Sequence, residues 1–117
     1  HQLARSLIWL GRRLMGEWCC DYLLDMEFVA RMLPSAELRL AGLGDSGAAA
    51  LFAGLLRPEK VASVTLVDSV DLFANVVADD PRATMACCLP GILAWGDLDH
   101  AAKLAKFKVE RKDSRVP

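Results

Sequence analysis

The residues most able to do chemistry lie in Gly42-Leu43-Gly44-Asp45-Ser46-Gly47. Leu38 and Leu40 lead into this stretch. Small and apolar residues follow it, from Ala48 to Leu56, and the unit closes with Val61 to Val67 and Asp68. The pattern predicts strand, tight turn, helix, strand. In α/β folds, ligands and reacting groups gather at the C-terminal ends of such strands. A nucleophile at a sharp strand-to-helix turn needs small residues two before it and two after it. Two registers satisfy that rule. Gly42-Leu43-Gly44-Asp45-Ser46 places Gly44 at the apex, where there is no side chain to attack with. Gly44-Asp45-Ser46-Gly47-Ala48 places Ser46 there, with the Gly47 N–H as oxyanion donor. In the second register His100 would take the proton from Ser46, and Asp68 or Asp71 would orient it.

The same letters also spell G-x-G-x-x-G with Gly42, Gly44 and Gly47. Asp68 follows Gly47 by 21 residues, where an acid would bind a ribose hydroxyl. Backbone N–H groups at the helix start would hold a pyrophosphate. Against this dinucleotide reading, a long helical region precedes the motif. Arg57-Pro58-Glu59-Lys60 lengthens the link to the second strand, and no second mononucleotide half follows. Each residue also has an ordinary role. Ser46 suits the first turn of a helix, Asp45 its N-terminal dipole, Asp68 a strand-end turn and His100 a surface helix start.

The elements that must position these residues are legible in order. His1 to Gly16 reads as a short helix or irregular lead-in, broken by Gly11 and Gly16. Glu17 to Met32 is helical, with Trp18, Tyr22, Met26 and Ala30 one turn apart and Leu23, Phe28 and Met32 widening the stripe. Leu33-Pro34-Ser35 ends it. Leu38 to Leu43 reads as a strand covered on both faces. The nearly uncharged helix after the turn must be buried on most sides. Val61 to Val67 is a β-branched strand, joined by a right-handed parallel crossover. Val70 to Val77 reads as a short helix and Asp79-Asp80-Pro81 as a turn. Ala83 to Ala94 is a helical piece broken at Pro90-Gly91. Gly96 to Asp99 is a turn with an N-cap, His100 to Lys106 a short helix, and Phe107 to Glu110 a third strand. Arg111 to Pro117 is a polar tail. Two or three strands leave sheet edges that need cover. The chain is therefore expected to pair with another chain, to self-associate, or to belong to a larger fold.

Composition narrows the classes. The 117 residues suit one domain, and 54% apolar content is too high for a disordered chain. A net charge of −1 gives no electrostatic case for nucleic acid. No run of apolar residues is long enough for a membrane span, so no membrane partner is expected. The chain starts at His1 without a leader pattern, as if cut from something longer. Cys19-Cys20 and Cys87-Cys88 lack C-x-x-C spacing and read as small buried apolar residues, with a bridge between the pairs as the alternative. Trp9, Trp18 and Trp95 read as core packing rather than a sugar-binding surface. No metal or cofactor is expected, since no two-histidine spacing occurs.

Over roughly residues 7 to 110 the chain resembles α/β-hydrolases of the acetyl xylan esterase-like carbohydrate esterase group. The resemblance rests on Gly11-Arg12-Arg13-Leu14-Met15-Gly16-Glu17-Trp18, on Leu40 to Gly47, on Ala50-Leu51-Phe52, and on Asp97-Leu98-Asp99 followed by Phe107-Lys108-Val109. It implies a three-layer α/β fold, present here only in its middle and later part. The first strands and the segment that usually carries the catalytic histidine would lie elsewhere. It implies a carboxylic ester of a carbohydrate or small molecule as substrate, cleaved through Ser46 if that residue is the nucleophile. With Gly44 at the apex it implies a non-catalytic module of a larger esterase.

Overall fold

The computed structural model describes residues 2–74 and 84–114, without the side chain of Cys87. Four helices, three strands and two single 3-10 turns make up the described chain. Helix α1 spans Gln2–Trp9, α2 Leu14–Met32, β1 Leu38–Leu43, α3 Ser46–Leu56, β2 Val61–Val67, α4 Leu98–Leu104 and β3 Lys108–Lys112. The 3-10 turns are Met85–Cys87 and Ile92–Ala94. The helical piece expected over Ala83 to Ala94 is thus two separate turns. Gly91 stands between them with φ +82°, outside the helical region. The turn expected at Asp79-Asp80-Pro81, and the Val70 to Val77 helix beyond residue 74, lie outside the described residues.

The sheet is parallel, in the order β1-β2-β3. Its register sets Leu40 beside Val64 and Val64 beside Val109. These three residues share one face, because side chains alternate along a strand. That face meets the core. Ala48, Ala49, Ala50, Leu51 and Ala53 of α3 are buried there with Val64 and Leu66, together with Met15 and Met26 of α2 and Leu98 of α4. Alanine explains the depth of α3: a helix with short side chains can sit close to the sheet and to two other helices at once. Gly54 takes this furthest. A Cβ there would stand 2.9 Å from the Phe107 ring and 3.1 Å from a Val64 methyl. A glycine inside a helix costs about 1 kcal/mol relative to alanine; here it makes room for the aromatic ring that precedes β3.

The opposite face is polar. By register it carries Arg39, Ser63 and Lys108, then Ala41, Thr65 and Glu110, then Leu43, Val67 and Lys112. Lys108 pairs with Glu110 across 2.6 Å. Arg39, Ala41 and Leu43 are exposed, so β1 alternates instead of being covered on both faces. Among the described residues the helices cover one face of the sheet. They form two layers, and a third layer is not among them.

Cysteine and tryptophan placement also differs from expectation. Cys20 and Cys88 are exposed, Cys19 is half-buried, and all three are free thiols. Burial pushes the Cys19 thiol above its ordinary pKa, with the neighbouring Cys20 adding to the effect. Trp9 is 91% and Trp95 92% exposed, while Trp18 is half-buried against the core. Of the stripe expected along α2, Trp18, Tyr22, Leu23 and Met26 touch the core, whereas Phe28 and Met32 are exposed. Periodicity does not show how many helices surround a given face.

Candidate active site at the glycine turn

The turn after β1 is built from backbone close approach. Gly42 lies in β1, and a Cβ on it would sit 2.4 Å from the Cα of Gly47. A Cβ on Gly47 would sit 2.0 Å from the Ser69 hydroxyl. Strand end, helix start and the loop after β2 therefore meet with no room for side chains at these two positions. Gly44 is different. Its φ is +60°, and a Cβ there would meet nothing within 4 Å. A left-handed backbone conformation between strand and helix, with open space above it, is the geometry expected of an elbow apex. Asp45 follows with ordinary helical angles, φ −62° and ψ −29°.

Hydrogen bonds hold the apex in place. The Gly44 N–H donates to the Val67 carbonyl at 2.8 Å. The Gly44 carbonyl accepts from the Ser69 hydroxyl at 2.8 Å and from the Gly47 N–H at 3.1 Å. The N–H proposed for an oxyanion is thus engaged within the turn. Ser46 opens α3, and its hydroxyl turns back on β1. It accepts from the Leu43 N–H at 3.0 Å and donates to the Leu43 carbonyl at 2.9 Å. Two residues earlier in β1, the Ala41 carbonyl accepts from the Tyr22 hydroxyl of α2 at 2.8 Å. Both side chains satisfy groups of an edge strand that has no neighbour beyond it among the described residues. The Thr84 hydroxyl donates to the Asp45 carboxylate, so the segment before the first 3-10 turn reaches over the start of α3.

No family model, curated protein or solved structure matches this chain. Its chemistry must be read from geometry.

Ser46 and Asp68 share the C-terminal end of the sheet. Asp68 has φ +49°, the one positive φ outside glycine among the described residues. Its N–H donates to the Lys112 carbonyl at 2.9 Å. Its carboxylate accepts from Ser114, from the N–H at 2.8 Å and from the hydroxyl at 2.5 Å. Asp71 accepts from Arg111 at 3.3 Å. Together Asp68, Ser69, Asp71 and Arg111 line a hollow of ≈ 190 Å³ beyond β2 and β3. His100 stands apart. It lies in the first turn of α4, exposed, with Nδ1 3.0 Å from Asp99. Neither its hydrogen bonds nor those of Ser46 run to the other. Lys103 also bonds Asp99, and holds that carboxyl below the usual range.

Sequence reasoning missed the long-range role of two residues of this region. Ser69 is buried and joins the apex to β2. Only its position beside Asp68 could have signalled that role. Asp97 accepts from the N–H groups of Phe73, Ala74 and Leu98, at 2.6, 3.0 and 2.7 Å. It caps its own helix and also holds the chain that follows β2. The N-cap was legible; the contact 24 residues back was not. On the other side of the turn, Trp18, Asp21, Tyr22, Asp25 and Ser46 line a shallow open groove.

Proposed function

We propose that this chain is a hydrolase-like α/β module in which Gly44 occupies the nucleophile apex, so that it is non-catalytic through this turn. The observation that carries the reading is the apex itself. Gly44 holds the left-handed backbone directly after β1, with Gly42 packed on Gly47 beneath it. This is the gapless register, and it leaves no attacking atom. Ser46 then has a structural task, closing the hydrogen bonds of Leu43 at the sheet edge. The module would serve a larger esterase of the carbohydrate esterase type as a packing or binding unit.

One observation favours an active esterase. Ser46 also lines the groove beside Trp18 and Tyr22, where a substrate would approach. The dinucleotide reading gains less. The Asp45 carboxylate stands at the start of α3, where a pyrophosphate would have to bind against like charge.

Fluorophosphonate labelling and hydrolysis of p-nitrophenyl acetate separate the first two readings. The intact chain is expected to remain unlabelled, and Ser46→Ala to hydrolyse the ester at the same background rate. Ser46→Ala should still melt earlier, by about 1 kcal/mol, because it loses the Leu43 bonds. Labelling that disappears in Ser46→Ala would falsify the glycine-apex reading and establish the esterase.

A further inference from the structure

The outer edge of β1 is closed at one end and open at the other. Successive residues of a strand send their N–H and C=O groups to opposite edges. The Gly44 N–H bonds the Val67 carbonyl, so by alternation Leu40 and Gly42 also turn toward β2. Arg39, Ala41 and Leu43 turn outward. There the Ser46 hydroxyl serves both backbone groups of Leu43, and the Tyr22 hydroxyl serves the Ala41 carbonyl. The Arg39 N–H, the Arg39 carbonyl and the Ala41 N–H have no hydrogen bond among the described residues.

A groove of ≈ 480 Å³ lies beside this open half. Leu38 and Leu40 of β1 line it, with Met26 and Val29 of α2 and Leu33 at the end of that helix. The groove exists because α2 stands beyond the strand. Helix α3 packs on β1 and β2, and α2 packs closely on α3 but not on β1. Packed helices stand about 8–10 Å apart and neighbouring strands about 4.8 Å. A helix beside α3 therefore overhangs the place of a further strand next to β1. The Tyr22 bond to an outward carbonyl marks that overhang. A second copy pairing edge to edge would bring its own α2 onto the same place. The groove fits a lone extended segment instead. Every second side chain of that segment would enter the apolar groove under α2, and the others would lie on the open face beside Arg39. Arg39 is exposed and makes no ion pair among the described residues; Glu110, across the sheet, is bonded to Lys108. Glu37 lies before the first paired residue of β1. An acidic side chain on the added strand complements Arg39.

We propose that the open half of the β1 edge binds an extended peptide segment of a partner protein by strand addition, with apolar side chains in the groove under α2 and an acidic one beside Arg39. The site does not depend on which residue stands at the glycine apex.

Fluorescence polarisation with the intact chain tests this. The probe is a fluorescein-labelled peptide, Thr-Val-Glu-Val-Thr-Val, compared with a version carrying lysine in place of glutamate. The acidic probe should bind saturably below millimolar concentration, and the lysine probe roughly fivefold more weakly. Arg39→Glu should reverse that preference. Leu33→Asp should abolish binding of both probes. Arg39 is exposed and Leu33 is 59% exposed, so the melting temperature should hold and lost binding cannot be ascribed to unfolding. An acidic probe methylated at every backbone nitrogen keeps its side chains but cannot donate to the Arg39 carbonyl, and should not bind. The proposal is overturned if the acidic probe fails to saturate at millimolar concentration, if the methylated probe binds as well as its parent, or if Arg39→Glu still prefers the acidic probe. A wild type that sediments as a dimer, and becomes a monomer in Arg39→Glu, also overturns it, because a second copy would then hold the edge.

Discussion

Gly42, Gly44 and Gly47 are identical in letters and different in physics. Gly42 is glycine because a helix backbone passes 2.4 Å from where its Cβ would be. Gly44 is glycine because its φ is +60°, in a place with room for a side chain. The two therefore respond differently to alanine. Gly42→Ala must push α3 off β1, and should cost about 3 kcal/mol or prevent folding. Gly44→Ala pays only for the left-handed backbone, about 1–2 kcal/mol. Denaturant melts of the two variants measure the order. A larger loss at Gly44 would refute the close packing of Gly42 on Gly47. The sequence spelled both positions in one motif and could not rank them. The distance from Gly42 to Gly47 depends on how sharply the strand turns into the helix.

At the scale of elements, Glu27 ties α2 to the start of β2. It accepts from Lys60 at 3.0 Å and from Arg31 at 3.3 Å. Lys60 chiefly, then Arg31, holds the Glu27 carboxyl below the ordinary carboxylate range. A carboxyl with a depressed folded pKa stabilises the native state above its unfolded pKa. That stabilisation is lost as pH falls through the folded value. The melting temperature should therefore drop as the solution is acidified below about pH 4.5. Glu110 beside Lys108 and Asp99 beside Lys103 add to the drop in the same direction. Glu27→Gln should show a shallower fall over that range; an unchanged slope would show that the tie between α2 and Lys60 does not persist in solution. Helix α2 was legible from its periodicity and β2 from its β-branched content. The tie was not, because 33 residues separate Lys60 from Glu27.

At the scale of the molecule, one strand is enclosed and two are edges among the described residues. β2 lies between β1 and β3, with Val64 and Leu66 buried. β1 has only side chains of Tyr22 and Ser46 on Ala41 and Leu43. Native-state hydrogen exchange should be slowest through Val64 to Leu66 and faster at Arg39 and at Lys108 to Lys112. Equal protection across the three strands would mean that the polar face or the edges are covered in solution, by a second copy or another chain. Parallel sheets are usually covered on both faces. The alternation of exposed Arg39, Ala41 and Leu43 with half-buried Leu38 and Leu40 makes this sheet an exception among the described residues.

The sequence by itself determined the strand-turn-helix-strand order around Gly42 to Gly47 and the helical stripe of α2. It also determined the Asp97 cap and the short strand after Phe107. All of these follow from local periodicity, turn chemistry and capping, which act over a few residues. Tertiary structure alone decided where in the turn the left-handed backbone falls. Both registers satisfy the small-residue rule, and only the meeting of β1, α3 and Ser69 puts the left-handed backbone at Gly44. It also decided that Trp9 and Trp95 face outward and that, among the described residues, one face of the sheet is uncovered. Burial is a property of what packs against a residue, and that partner lies elsewhere in the chain or outside it.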